Sequence, residues 1–156
     1  MNEERLIKYA VDYLSKYNSS KNNLLKVLKR KIFRLTATGI EKKKLINSLQ
    51  NIIEKLEKNN LINDERYTLS KISFLSRSGK SKNFIIKFLI NKGITKIEIQ
   101  NILNNFTNNN DDWEFNSAKL FAKKKKLLDS NDSYEKKLGK MARAGFSYDI
   151  SKKILG

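Results

Sequence analysis

Three short runs in this sequence carry the residue types of chemistry. Gly79-Lys80-Ser81 matches the end of a phosphate-binding loop, in which backbone N–H groups and a lysine hold phosphates. The full motif needs a first glycine where Phe74 stands, and a strand before it; both are missing. The plainer reading is a helix stop followed by a helix start, with Lys80 and Lys82 exposed at the junction. Ser133 and Lys136 have the S-x-x-K spacing of some acyl-transfer enzymes, but the companion motifs are absent. Asp132 and Glu135 explain that segment as helix capping, with Lys136 pointing outward. Asp64-Glu65 and Asp111-Asp112 are adjacent pairs at helix starts. Neighbouring helix residues point about 100° apart, so neither pair converges on a metal or forms an acid/base couple. Complementing the helix dipole is sufficient reason for them.

The chain has no cysteine and no histidine. That removes disulfides, thiolate nucleophiles, zinc sites and imidazole acid/base chemistry together. No catalytic residue, metal or cofactor is therefore expected. What remains is charge: 33 Lys and Arg against 16 Asp and Glu, a net +17. Such a chain is drawn to polyanions, meaning DNA, RNA or an acidic protein surface. Part of the excess also reflects a composition rich in Lys, Asn and Ile together, and a run of lysines is often only a solvated face. Still, comparable basic groups recur. Arg77, Lys80, Lys82, Lys87 and Lys92 surround one helix, and Lys123, Lys124, Lys136, Lys140 and Arg143 surround another. The Tyr and Phe residues sit at core spacing, so no base-stacking platform is expected.

The elements that must position these groups read as helices. Proline is absent, and no β-branched run alternates cleanly. A first helix over 4–17 carries Leu6, Ala10, Tyr13, Leu14 and Tyr17 at helical spacing. Asn18-Ser19-Ser20 stops it and caps a second, with Leu24, Leu25, Leu28, Ile32 and Leu35, running towards Thr38 and closed by Gly39. A third carries Leu45, Ile46, Leu49, Ile52, Ile53 and Leu56 and ends at Asn59-Asn60. The next opens at Asn63 or Asp64, with Tyr67, Leu69, Ile72, Phe74 and Leu75 as its apolar positions, and stops at Gly79. Phe84, Ile85, Phe88 and Leu89 mark the buried side of a fifth, closed by Gly93. Thr95 and Glu98 form a capping box, with Ile94 and Ile99 as its hydrophobic staple, on a helix that continues through Ile102, Leu103 and Phe106. Asp111 and Glu114 suit the N-cap and N3 of a helix from Trp113 to about Leu128. Helices over 133–144, closed by Gly145, and from Ser147 onward complete the chain. The N-terminus lacks an apolar signal-peptide core, and no stretch reaches the ~18 apolar residues of a membrane span. A cytoplasmic monomer with no membrane contact is expected.

Gly39-Ile40, Gly93-Ile94 and Gly145-Phe146 each follow a basic amphipathic helix, at intervals of roughly fifty residues, the range of helical arrays. LINKGITKIEIQNIL and MARAGFSYDISKKIL align without a gap. The expected architecture is all-α: tandem three-helix repeats over 1–60 (with a long second helix), 61–107 and 111–156. Each is marginal alone and packs on the next, giving an elongated, curved array with an aligned basic stripe.

LINDERY (61–67), RSGKSKNFIIKFLINKGI (77–94) and ARAGFSYDISKKIL (142–155) resemble the RecX family of recombination regulators, over essentially the whole chain. Leu61, Ile62, Asn63, Asp64, Arg66 and Tyr67 match one family block. Arg77, Gly79, Lys92 and Gly93 match the next, and Gly145 with Phe146 the last. The resemblance implies tandem three-helix repeats and no catalytic residues. It implies binding to the RecA recombinase, in the groove of its filament on single-stranded DNA, and restraint of filament extension, ATP hydrolysis, strand exchange and coprotease activity. Lysine stands where many members carry arginine, which keeps charge and loses bidentate geometry. Two rival readings remain from the residues themselves: a general DNA-binding helical protein, and an enzyme, for which the sequence supplies neither phosphate-loop glycines nor a carboxylate cluster.

Overall fold

Short polar side chains set the helix starts of this chain, as seen in a computed structural model that describes residues 1–35 and 38–156. Asn2 caps α1 (Glu3–Lys16) through the amide of Arg5, and Thr38 caps α3 (Gly39–Lys58) through that of Glu41. Thr95 and Glu98 complete a capping box on α6 (Lys96–Asn109). Ser133 caps α8 (Tyr134–Arg143) and Ser147 caps α9 (Tyr148–Leu155). Between these lie α2 (Lys21–Leu35), α4 (Asp64–Ser76), α5 (Lys82–Asn91) and α7 (Trp113–Lys124). Each cap supplies an acceptor to an N–H group that has no partner within its own helix. The described residues are all-helical, as the sequence predicts.

The chain divides into two compact units. The N-terminal unit comprises Met1–Tyr67 with Lys92–Ile94. Here α2 packs on α3, and α1 packs on both. Leu6, Ala10, Leu24, Leu28, Ile32, Leu49, Ile52 and Ile62 form its core. The C-terminal unit comprises Thr68–Asn91 with Thr95–Gly156. Helix α5 packs on α6, with Ile85, Leu89, Ile99 and Leu103 buried; α7 and α8 both pack on α9. Ala118, Ala122, Leu127, Met141 and Phe146 form a core there, with Phe121 against Phe146.

Several local expectations are corrected. Gly39 does not close α2. It lies inside the first turn of α3, without a positive φ and with open space around it. Thr38 is extended and caps α3, so α2 does not reach it; Thr36 and Ala37, which the expected extension crosses, lie outside the described residues. Helix α7 ends at Lys124 and not near Leu128, because Lys126 adopts a left-handed φ of 55° and turns Leu127 into the core. Asp111 does not cap α7. The N-cap is Asp112, itself left-handed, and its side chain makes no cap hydrogen bond. Tyr17, Leu35, Leu69, Phe74 and Phe84 remain exposed despite their apolar spacing. Helical period fixes a stripe, but the packed neighbour decides how wide a stripe is covered. On α4 that is Ile72 and Leu75, with Tyr67 at its start.

Candidate functional site

The start of α5 is the centre of the site. Ser81 is fully buried. Its Oγ accepts from the Phe84 amide (3.1 Å) and donates to the Ala144 carbonyl at the end of α8 (2.7 Å). The Lys82 amide, an orphan donor of the first turn, gives its hydrogen bond to Glu114 Oε2 on α7 (2.8 Å). The carboxylate also meets the positive end of the α5 dipole. Asn83 Nδ2 donates to the Gly145 carbonyl (3.1 Å). Gly145 has φ +95°, and a Cβ there would lie 2.4 Å from Ser81 Oγ. The preceding loop is held in the same way. Ser117 Oγ donates to the Lys80 carbonyl (2.6 Å), Lys124 Nζ to that of Ser78 (3.3 Å), and Gly79 (φ +81°) abuts the α7 backbone at Phe121.

This geometry answers the phosphate-loop question. The hydroxyl of Ser81 is committed to protein partners, and the place where an anion would meet the α5 terminus is taken by Glu114. Ser133 is likewise engaged, accepting from the Lys136 amide as an N-cap.

An equivalent socket stands at the start of α2 in the N-terminal unit. Ser20 Oγ accepts from the Asn23 amide and donates to the Lys92 carbonyl (2.7 Å). The Lys21 amide donates to Asp64 Oδ1 (2.8 Å). Gly93 (φ +83°) lies so close that a Cβ there would be 2.3 Å from that of Asn22. Asn63, not Asp64, caps α4, through the Arg66 amide. Arg66 in turn braces left-handed Asn60, donating from Nη1 to its Oδ1 and from Nη2 to its carbonyl. Tyr67 is buried beside Asp64, and burial first, then the Asp64 charge and Tyr13, hold its hydroxyl above the ordinary phenol range. Both sockets carry the same tripeptide, Ser20-Lys21-Asn22 and Ser81-Lys82-Asn83. Sequence reasoning passed over this repeat, although it was legible as soon as α2 and α5 were laid side by side.

The basic residues fall into distinct settings. Lys80, Lys82, Lys124 and Arg143 are brought to the socket of the C-terminal unit by the backbone contacts just described, with Arg77 at the end of α4 leading into it. Lys80 Nζ sits 4.6 Å from the centre of the Phe84 ring. Lys87 lies further along α5 and is exposed. Lys92 belongs to the N-terminal unit, where its carbonyl serves Ser20. Lys123 faces a pocket on the C-terminal unit. Lys136 and Lys140 are drawn to Asp132 (3.4 and 2.9 Å). Lys140 first, with Ser130 and Lys136, holds the Asp132 carboxyl down at about 2. A carboxyl depressed in the folded state contributes stability above its ordinary range, near pH ~4, and loses it as pH falls through the folded value. Asp132→Asn is therefore expected to lower the melting temperature at pH 6 and to lower it much less at pH 2. Thermal melts at both values check this, and an equal loss at both would refute it.

No family model matches the chain. Regulatory protein RecX of Myxococcus xanthus (strain DK1622) is 30% identical over 154 residues, which span 94% of this chain and 81% of that protein. The chain belongs to the RecX family. The crystal structure of RecX from Lactobacillus salivarius superposes with a TM-score of 0.69 at 26% identity, covering 97% of this chain and 93% of that one. A crystal structure of regulatory protein RecX shares the fold at a TM-score of 0.71 and 20% identity, covering 97% and 70%. In this RecX-family chain the matched blocks are socket parts: Asp64 and Gly93 in one socket, Gly79 and Gly145 in the other. Phe146 is buried beside the second. No helix of the described residues is long and apolar enough to cross a membrane.

Proposed function

We propose that this RecX-family protein binds the RecA recombinase filament, as a cytoplasmic monomer, and restrains its extension, ATPase, strand exchange and coprotease activity without catalysis of its own. Single-stranded DNA phosphates are touched from the same side. The observation that carries this reading is the basic socket at the start of α5, in a chain 30% identical to a protein named as regulatory. Three helices converge there, and their packing groups are used up in building the socket. The charges left at its edge, on Lys82, Arg143 and Arg77, make no ion pair among the described residues. A ligand that binds one state of a filament better shifts the balance between growth and disassembly. The recurring socket also supports three repeats, over 1–60, 61–107 and 111–156, each joined to the next by a Ser-Lys-Asn start.

The test is the DNA-dependent ATPase of the cognate recombinase, titrated with this protein at fixed moderate salt. Turnover is expected to fall at well below one regulator per recombinase. Inhibition that appears only when the protein coats the DNA favours the second reading, a general DNA-binding protein, to which the net charge of +17 lends weight.

A further inference from the structure

The end of α7 holds a feature that the sockets do not use. From α3 onward each helix junction holds a residue of positive φ, and these are Gly, Asn or Asp, with the exception of Lys126. Glycine reaches this conformation without penalty, and short polar side chains compensate locally; lysine does neither. The reversal itself is ordinary. The Lys126 amide bonds the Lys123 carbonyl, and the Leu127 amide bonds that of Ala122, which seats Leu127 in the core. Glycine would serve this turn better, so the lysine at position 126 carries a conformational cost. Strain of this kind gathers where a side chain has work to do.

That side chain lines a pocket of about 480 Å³ within the C-terminal unit. The floor is apolar, made by Phe115, Leu120, Leu128 and Ile154, with Leu128 59% exposed. Around it stand Lys119, Lys123, Lys126 and Lys153, against one acid, Asp129. None of the four lysines makes an ion pair among the described residues. Four lysines therefore line the pocket beside its apolar side chains, with Lys119 Nζ 5.8 Å from the centre of the Phe115 ring.

We propose that this pocket receives an acidic peptide segment of a partner protein, a bulky apolar side chain seated on the floor and flanking carboxylates on the lysines. Charge complementarity selects the occupant. A phosphate backbone would use the lysines and gain nothing from the recess. A nucleic-acid base would need a flat face to stack on, and the lining offers one aromatic ring, Phe115, already under Lys119, among aliphatic side chains. An apolar residue between acids uses both parts. A lysine in the left-handed region on the pocket lining fits the same reading. The pocket lies apart from the socket residues Ser81, Lys82 and Glu114 at the start of α5, and a free peptide tests it without the recombinase.

The experiment is fluorescence anisotropy with a labelled six-residue peptide, a Leu-Phe core between pairs of acids. Saturable one-to-one binding is expected, weakened about tenfold when the acids become amides or the core becomes Ala-Ala, and weakened by added salt. Lys126→Gly is expected to raise the melting temperature by about 2–4 °C while loosening the peptide roughly threefold. A purely structural lysine would not move the two readouts in opposite senses. Lys153→Gln, on the exposed side of α9, is expected to loosen the peptide by a similar factor without a change in melting. No peptide binding, binding indifferent to the Leu-Phe core, or unchanged affinity in Lys126→Gly overturns the proposal. So does a single-stranded oligonucleotide that displaces the peptide while Leu128→Ser has no effect, which would assign the pocket to nucleic acid.

Discussion

Gly93→Ala is expected to lower the melting temperature by roughly 6–12 °C, the largest effect of any single methyl group in the protein. Two costs add. A residue with a Cβ at φ +83° loses ~1–2 kcal/mol relative to glycine. The new methyl also falls 2.3 Å from Asn22 Cβ, an atom fixed to the α2 backbone, so a helix must move; overpacking of this kind costs ~1–3 kcal/mol. The steric share is separable. Asn22→Gly removes the opposing Cβ, and the double variant is expected to melt above Gly93→Ala alone, even after the helix penalty of glycine. Gly39→Ala is the control. Gly39 is helical with nothing nearby, so its melting temperature is expected to hold or rise slightly. A Gly93→Ala protein that melts like the parent would sink the socket as a close-packed joint.

The second large effect concerns inhibition. Replacing Arg77, Lys82, Lys87 and Arg143 together by Gln is expected to weaken inhibition of the recombinase ATPase by about thirtyfold, taking ~0.5 kcal/mol per exposed charge. It should also flatten the salt dependence of any DNA binding, by close to one unit of log–log slope for each phosphate no longer neutralised. Lys136→Gln with Lys140→Gln provides the contrast. Those lysines are held by Asp132, so potency is expected to change less than threefold while stability falls above pH ~4. Helical circular dichroism on both proteins separates weaker binding from unfolding. Equal loss of potency in the two would mean that net charge, and not the socket edge, drives inhibition.

The sequence was informative where one rule acts alone. The Thr95–Glu98 box, the stops at Gly79, Gly93 and Gly145, and the buried faces of α3 and α6 all follow from capping and period. It was misleading where tertiary partners reassign a side chain. Glu114 reads as N3 of its own helix, yet it caps α5. Asp64 reads as a cap of α4, yet it caps α2. In each case the acid complements a helix terminus, and local sequence cannot show whose. The left-handed Lys126 had no signal, since lysine is the wrong residue type for that turn. Among the candidate basic residues, spacing could not separate Lys136 and Lys140, which share the Asp132 carboxylate, from Lys82 and Arg143, which make no ion pair among the described residues. The common role of Ser20 and Ser81 was the opposite case: the signal was present as a repeated tripeptide, and its meaning lay in two carbonyls more than sixty residues away.

Those distances in the chain also order events during synthesis. Residues up to Tyr67 supply the helices of the N-terminal unit, including Asp64 for the Lys21 amide. The carbonyl that takes the Ser20 hydroxyl, and the glycine that lets the chain pass Asn22, arrive only with Lys92 and Gly93. At ~5–20 residues per second, the nascent N-terminal unit waits a few seconds with its socket open while α4 and α5 are being made. A ribosome that stalls in that interval would present an unfinished unit, and a protease or chaperone would meet it at the start of α2.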